Sequence, residues 1–441
     1  MSTHTMNMDP TVRNPSSRRS FIKYGGAAGI VGLAGCLTDD GNGNGNGNGN
    51  GNGNGDDSGN GATVGDSDDS VDTVVIGSNH PLTGDLSFTG TRMDNAVKLA
   101  AMLKNEQGGI ESLDGAEIEV ISEDNQGQQE LGSEVAQELV NDGADVLTGC
   151  FSSPVTNAAT RVAEREQIPF VISVSIDDDI LQETPLDYVY RPQPSANRMS
   201  RDHAEIMPQV ARDAGIDVET AGLFYIDISF GQSVRNTLRE ALPENGVEIV
   251  QETSIDFGGT ADTQVTSLRD ADPDVIIATT YEAGTVELLR AMDNQDYRPP
   301  VLAGCANAAL NDTGELAEMG ETANGALATN FGLNPTLDET AEVRERFSEE
   351  FDQTMDANVG MTYASAQVII AAIEEAGSGD PEDINNTLKE IEVTDHIAAM
   401  PPITFRDDGE NENALGVLFQ VQDLVDRVIF PEEFAETEPM F

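Results

Sequence analysis

Val74-Val75-Ile76-Gly77-Ser78-Asn79-His80-Pro81-Leu82-Thr83-Gly84 opens the stretch that decides the fold, and the stretch closes at Gly108-Gly109-Ile110. Residues 71–76 form a short β-branched run, the pattern of a buried strand. Pro81 and the pair Thr83-Gly84 then break the chain into a loop. From Gly90 the apolar positions Met93, Ala96, Val97, Ala100, Ala101 and Leu103 recur at helical spacing, with Arg92, Asp94, Lys98 and Lys104 on the other side. Gly108-Gly109 stops that helix. A strand thus ends in an open loop of small polar groups and leads into a helix. In an open α/β sheet, that junction is where ligands bind.

Outward from this unit the chain keeps alternating. Strands are predicted at 117–122, 144–149 and 169–174, with helices at 129–141 and 155–166 between them. This βαβ order implies a mostly parallel sheet with helices on both faces. A second set follows, with helices at 198–214, 233–242, 262–270 and 285–292 and strands at 221–226, 248–251, 274–279 and 300–303. Helices at 339–350 and 362–376 and β segments at 403–405 and 416–421 end the chain. No period of 20–50 residues repeats, so the halves echo each other only in topology.

In order and spacing, Pro81-Leu82-Thr83-Gly84, Gly90, Gly108-Gly109-Ile110, Asp114-Gly115 and Asp124 resemble the leucine/isoleucine/valine-binding protein family, the type I solute-binding proteins of ABC importers. The similarity runs over residues 71–430. It implies an α/β fold of two Rossmann-like lobes of the periplasmic-binding-protein type I, joined by a multi-strand hinge. Lobe I would hold residues 71–190 and 330–397, and lobe II residues 191–329 and 398–441. The implied crossings lie near Tyr190-Arg191-Pro192 and residues 326–330.

Composition bounds the setting. In 441 residues, 79 Asp and Glu stand against 23 Lys and Arg, a net charge of −56. The acids are interspersed among periodic apolar runs, which argues for a folded surface and against an acidic disordered tail. Such a surface suits high salt, because the Debye length falls to about 3 Å at 1 M and self-repulsion is screened. It excludes nucleic acid as a partner, since a phosphate backbone needs basic neutralisation. Cysteine occurs only at Cys36, Cys150 and Cys305, too few for a disulfide framework or a metal cluster. Cys150 and Cys305 fall at strand ends on opposite lobes, where two free buried thiols or a bridge would both fit; a bridge needs Cα atoms within about 7 Å.

The first 36 residues read as an export leader. Ser17-Arg18-Arg19-Ser20-Phe21-Ile22-Lys23 is a twin-arginine signal, followed by an apolar stretch at 24–33 that is shorter than the about 20 residues a bilayer span needs. Leu33-Ala34-Gly35-Cys36 resembles a lipoprotein cleavage box with Cys36 as the lipidated residue, and the chain resembles a salt-adapted archaeal lipoprotein. Residues 37–70, alternating Gly and Asn and then acidic, form a flexible tether spanning roughly 30 Å by the square-root rule. Localisation is therefore extracytoplasmic, on the outer face of the cell membrane.

Four loops would face one cleft. Residues 78–89 form the first. The second, Cys150-Phe151-Ser152-Ser153-Pro154, places hydroxyls and free N–H groups at a helix start, an anion site for a carboxylate; helix capping by Ser152 or Ser153 is the alternative. The resemblance assigns the carboxylate to Ser152. Ser173-Val174-Ser175-Ile176-Asp177-Asp178-Asp179 is the third, where the resemblance implies ligand contacts at Ser175 and Asp177; an aspartate run in an acidic chain also reads as a solvated cap. The fourth is on the second lobe, with Asp227 to Gly231 and Tyr281-Glu282. There the resemblance has aromatics at Phe230 and Tyr281 close over the ligand, and packing under a loop is the alternative. The family's leucine-binding members carry a glutamate for the ligand's ammonium where this chain has Gly304-Cys305-Ala306-Asn307, and a tyrosine where it has Thr89. Either Asp227, Asp177 or Glu282 substitutes, or the ligand is no standard α-amino acid.

No nucleophile-elbow, zinc-protease, phosphate-loop or dinucleotide motif occurs. His80, in the first loop, is read as structural. Asn311-Asp312-Thr313 and Asn385-Asn386-Thr387 are glycosylation sequons. The expectation is a monomeric, lipid-anchored substrate-binding protein that takes a branched-chain or other amino acid, or a small amide, to ABC permease subunits, with no cofactor, metal or catalytic residue. A sensory receptor of the same fold and, at greater distance, a secreted α/β enzyme are the alternatives.

Overall fold

The computed structural model describes residues 71–183, 185–312 and 319–440. The twin-arginine leader, Cys36 and the tether at 37–70 lie outside the described residues.

The first lobe is built on β1 (Thr73–His80), β2 (Glu117–Asp124), β3 (Val146–Gly149), β4 (Phe170–Ile172) and β5 (Val189–Tyr190), all parallel in the order β2-β1-β3-β4-β5. The crossover helices are α1 (Ser87–Glu106), α2 (Gln129–Asn141) and α3 (Ser153–Glu166), with one turn of α4 (Asp179–Gln182) before β5. β1 is an interior strand, next to the edge strand β2, and is buried over most of its length, as an apolar run with helices on either side requires. It reaches past its apolar run to His80, because Gly77, Ser78, Asn79 and His80 continue the ladder against Ile121, Ser122, Glu123 and Asp124.

Elements of the Pro81–Gly90 signature hold this corner together. One oxygen of Asp124 accepts the N–H groups of Leu82 at 2.8 Å, Thr83 at 3.2 Å and Gln126 at 2.9 Å, while the other accepts the Thr83 hydroxyl. Burial pushes the Asp124 carboxyl up, but the bonds from Thr83, Gln126 and Leu82 outweigh it and hold the group below its usual range. Gly90 stands where a Cβ would come 2.2 Å from the Pro81 carbonyl oxygen, so only glycine lets α1 start against the loop.

The second lobe carries α5 (Ala196–Asp213), β6 (Thr220–Ile226), α6 (Ser229–Glu244), β7 (Glu248–Ile255), α7 (Asp262–Ala271), β8 (Val275–Thr279), α8 (Glu282–Asn294), β9 (Val301–Cys305) and β10 (Leu327–Asn330). The chain then runs through α9 (Asp338–Phe351), α10 (Ala357–Ala376), α11 (Pro381–Leu388) and a two-stranded ribbon of β11 (Glu392–Val393) and β12 (Ile403–Thr404), and ends in β13 (Val417–Gln422) and β14 (Val425–Phe430). The sheet order is β14-β13-β10-β9-β8-β6-β7. The five strands from β10 to β7 are parallel, and β13 and β14 add an antiparallel edge. α10 returns to the first lobe and packs on α1; its Ser365 hydroxyl donates to the carbonyls of Ile172 and Ser173 at the end of β4.

Three segments cross between the lobes, and they are bonded to one another. Arg191 N–H donates to the Gly409 carbonyl at 2.8 Å and Asn411 N–H to the Arg191 carbonyl at 3.1 Å. Asn334 N–H donates to Ile397 at 2.7 Å and Ala399 N–H to Gly332 at 2.7 Å. The second crossing follows residues 327–330 instead of lying on them: Leu327, Ala328 and Thr329 pair in parallel with β9, so this run is a full member of the second sheet. No helix among the described residues is long and apolar enough to cross a membrane.

Candidate ligand-binding cleft

The loops that follow β3 and β4 in the first lobe face those that follow β6, β8 and β9 in the second. Between them is a small cavity offering about 30 Å³ to the centres of water molecules. The first lobe contributes Phe151, Ser153, Val174, Ser175, Ile176 and, from the first turn of α10, Asn358. Phe230, Thr280, Tyr281, Ala306 and Ala308 come from the second lobe, and Asn330 and Phe331 from the crossing. Two non-glycine residues on opposite walls hold left-handed backbone, Phe151 at φ 76° and Ala306 at φ 53°. Each costs about 1–2 kcal/mol, and such strain collects at ligand sites.

Tyr281 is the divide. Its ring lies 5.2 Å from Phe151 of the other lobe, 5.4 Å from Phe230 and 6.1 Å from Phe257. It borders the inner cavity and also two larger spaces on its outer side. One, of about 570 Å³, lies between Leu86, Phe88 and Thr89 of the first lobe and Phe257, Glu282 and Val286 of the second. The other, of about 410 Å³, reaches Gln126, Ser152 and Pro154. The closed cleft is thus largely filled by its own aromatic rings: the inner cavity has room for only the few atoms of a solute's polar end, and the larger room, for the rest of its body, lies outside Tyr281. Burial raises the pKa of the Tyr281 phenol, and the Ser152 side chain offsets part of that rise.

The expected residues divide into three groups. Ser153, Ser175, Phe230 and Tyr281 line the inner cavity. Ser152 and Thr89 border the outer spaces. Asp177 and Asp227 line neither. Asp177 is buried, but its carboxylate receives Asp179 N–H at 3.3 Å, and Asp227 is exposed and holds the Gln232 side chain at 2.8 Å. Side-chain capping by Ser152 is corrected as well. The residue stands at the N-cap of α3, yet its hydroxyl makes no capping bond, so the first-turn N–H groups have no side-chain cap. The Ser175 hydroxyl is occupied: it donates to the Phe151 carbonyl at 2.9 Å and makes a short contact with the Thr156 hydroxyl, fixing the strained turn. Gly304-Cys305-Ala306-Asn307 offers no acid. Asn307 is fully buried and ties the Ala278 carbonyl and the Thr285 hydroxyl to its own turn.

Four contacts close the cleft besides the rings. The Thr89 hydroxyl donates to the Glu282 carboxylate at 2.7 Å. The Ser233 hydroxyl of α6 donates to the Asp178 carboxylate at 3.0 Å and accepts Asp178 N–H at 3.4 Å, so Asp178 bridges the lobes where the sequence suggested a solvated cap. Arg92 of α1 is buried between Asp312 at 2.8 Å and Asp356 at 2.7 Å. Arg191, wholly buried in the hinge, donates to the carbonyls of Ile176 at 3.0 Å and Asp177 at 2.7 Å, which couples the crossing to the third loop.

Sequence reasoning missed Asn330, Phe331 and Asn358. The signal for Asn358 was present: it is an amide in the first turn of a helix that is apolar nearly all round, just after the N-cap Asp356. His80 is no loop residue but the fully buried end of β1. The Ser78 hydroxyl donates to Asp94 at 2.6 Å and lies 2.9 Å from His80 Nδ1, so that nitrogen carries the proton and takes none from the serine. Burial lowers the His80 pKa to about 4. This trio is structural, since a triad needs the histidine between acid and nucleophile. Cys150 and Cys305 are free and buried, and burial pushes the Cys305 thiol up to about 12. Asn311 and Asn385 are each 1 % exposed, which removes both sequons as acceptor sites in the folded chain.

A family model described as periplasmic binding protein matches residues 73–423. This chain belongs to the periplasmic binding protein family. Among curated relatives of this binding protein, the Leu/Ile/Val-binding protein homolog 7 of Brucella abortus is 25% identical over 381 residues, covering 83% of this chain and 93% of the relative. A leucine-binding protein of Thermotoga maritima has the same fold with a TM-score of 0.70 at 18% identity, covering 80% of this chain and 97% of its own. A solute-binding protein of an ABC transporter from R. palustris, solved with benzoate, also has a TM-score of 0.70, at 16% identity and with 81% and 95% covered.

Proposed function

We propose that the chain is the extracytoplasmic substrate-binding lipoprotein of an ABC importer, tethered through Cys36 and closing over a small organic solute. One observation carries this reading: loop tips from two hinged lobes, Ser153 and Ser175 on one and Phe230 and Tyr281 on the other, meet around one cavity. The relatives' names point to amino acids, and the benzoate complex extends the class to other organic acids. The uncapped first turn of α3 beside Ser152 and Ser153 is suited to the carboxylate or carbonyl end of either. Ligand contacts on both lobes favour the closed state, and the permease subunits would recognise that state. Entry needs the lobes to part along the three bonded crossings, which also moves Tyr281 off Phe151.

The test is a thermal-shift screen of the purified full chain at multimolar salt with leucine, benzoate and small amides. A ligand at 100 times its Kd stabilises by about 2.7 kcal/mol, a shift of several degrees. No shift with any amino acid, organic acid or amide would refute the reading.

A further inference from the structure

We propose that the solute this chain carries lacks a free amino group, and that Asn358 reads its uncharged or anionic acceptor end: the ligand class is small carboxylates and carboxamides. The inference rests on the solute-binding reading above and narrows it.

The inner cavity is lined by hydroxyls, two asparagines and apolar groups, with no charged side chain among the described residues. An α-ammonium placed there would lose its water without gaining a counter-charge, which is costly. The neighbouring acids are committed elsewhere. Glu282 holds Thr89 across the outer side of the cleft. Asp356 pairs with Arg92 and accepts Val359 N–H at 2.9 Å as the cap of α10. Asp177 caps its own turn and is absent from the lining.

Asn358 supplies the second observation. It is 4 % exposed and borders the cavity, and its amide nitrogen has no hydrogen-bond partner among the described residues. A buried donor without an acceptor costs about 1–3 kcal/mol, so it marks a place where a ligand atom completes the site. A carboxylate or carbonyl oxygen satisfies it, whereas an ammonium sets donor against donor. With the amide turned over, its oxygen would accept one bond yet still bring no counter-charge.

The experiment is calorimetry on the full chain at high salt with matched pairs: leucine against 4-methylpentanoate, and phenylalanine against 3-phenylpropanoate, with benzoate alongside. At least one deaminated acid should bind ten-fold or more tightly than its amino acid. Asn358→Asp should weaken the acid at least ten-fold and shift the ratio towards the amino acid. Asn358→Ala, which removes the donor and adds no charge, should weaken the acid without that shift, and it serves if the aspartate variant does not fold. Amino acids binding as tightly as their deaminated twins would overturn the inference and leave the solute-binding reading standing. Heat from none of these ligands would overturn both. An unchanged ratio and affinity in both variants would remove Asn358 from the site.

Discussion

The two sides of Tyr281 differ in charge as well as in size. Inside, about 30 Å³ is walled by neutral groups. Outside, about 570 Å³ is rimmed by Asp85, Asp256, Glu282 and Glu287. The acidity that runs through the whole chain therefore stops at one aromatic ring. It does not stop for want of acids: Asp356 is two residues from Asn358, and Asp312 lies just past the turn that carries Ala308. Both pair with Arg92, which is almost fully buried in a chain with few cations to place there. Water screens the outer acids, while inner ones must be paired, because the attraction and the desolvation penalty both grow as the medium dries. The cleft of an acidic protein can be neutral only where its structure spends an arginine on it.

The largest effect should come from that arginine. Arg92→Met removes the guanidinium that Asp312 and Asp356 share, and the expected cost is about 3–5 kcal/mol in denaturant unfolding. A loss below about 1 kcal/mol would mean the inner side is wet and that the two sides are electrostatically alike. A second effect follows from the count of two carboxylates against one guanidinium. Burial raises the Asp356 pKa to about 7, Arg92 opposes that rise and Asp312 adds to it. The folded chain thus holds a proton that the unfolded chain releases between its ordinary value of 3.8 and about 7. Stability contributed by this group is present at the acid end of the window and falls as pH rises, by up to about 1.4 kcal/mol per pH unit. Asp356→Asn removes the titration, so its unfolding free energy should decline less steeply than the parent's between pH 5 and 7. Identical slopes would show that the inner acids are not desolvated.

The lobes and their order were readable because α/β folding writes itself locally. Gln129–Asn141 begins and ends where the periodic run does, and the signature at Pro81, Gly90 and Asp124 reports a loop clamp. That same signature has little to say about the solute, since its residues hold the scaffold and mostly stay out of the inner cavity. Two of its wall residues, Phe151 and Ala306, hold left-handed turns that only the tertiary structure sets, and Asn358 opens a helix whose first turn is marked by the Asp356 cap and not by the apolar pattern. The ion pairs that keep the cavity neutral join residues more than 200 positions apart, beyond any local pattern. Asp227 stays out of the cavity linings for a related reason. It sits at the tip of β6, as the topology requires, but its side chain turns outward to Gln232.

Thr89→Val is the smallest expected change and divides the two sides most sharply. Valine keeps the shape of threonine and loses the hydroxyl that reaches Glu282 across the cleft. Glu282 is only half-buried, so water can replace the lost donor, and the closed state should weaken by about 1 kcal/mol. Affinity for a bound acid should then fall about five-fold, since the contact exists only when the lobes meet. The preference between an acid and its amino acid should not move, because Thr89 and Glu282 belong to the outer side. If the preference does move, the freed Glu282 has begun to take up the ligand's amino group. In that event the ring of Tyr281 is no boundary, and the outer acids belong to the recognition site.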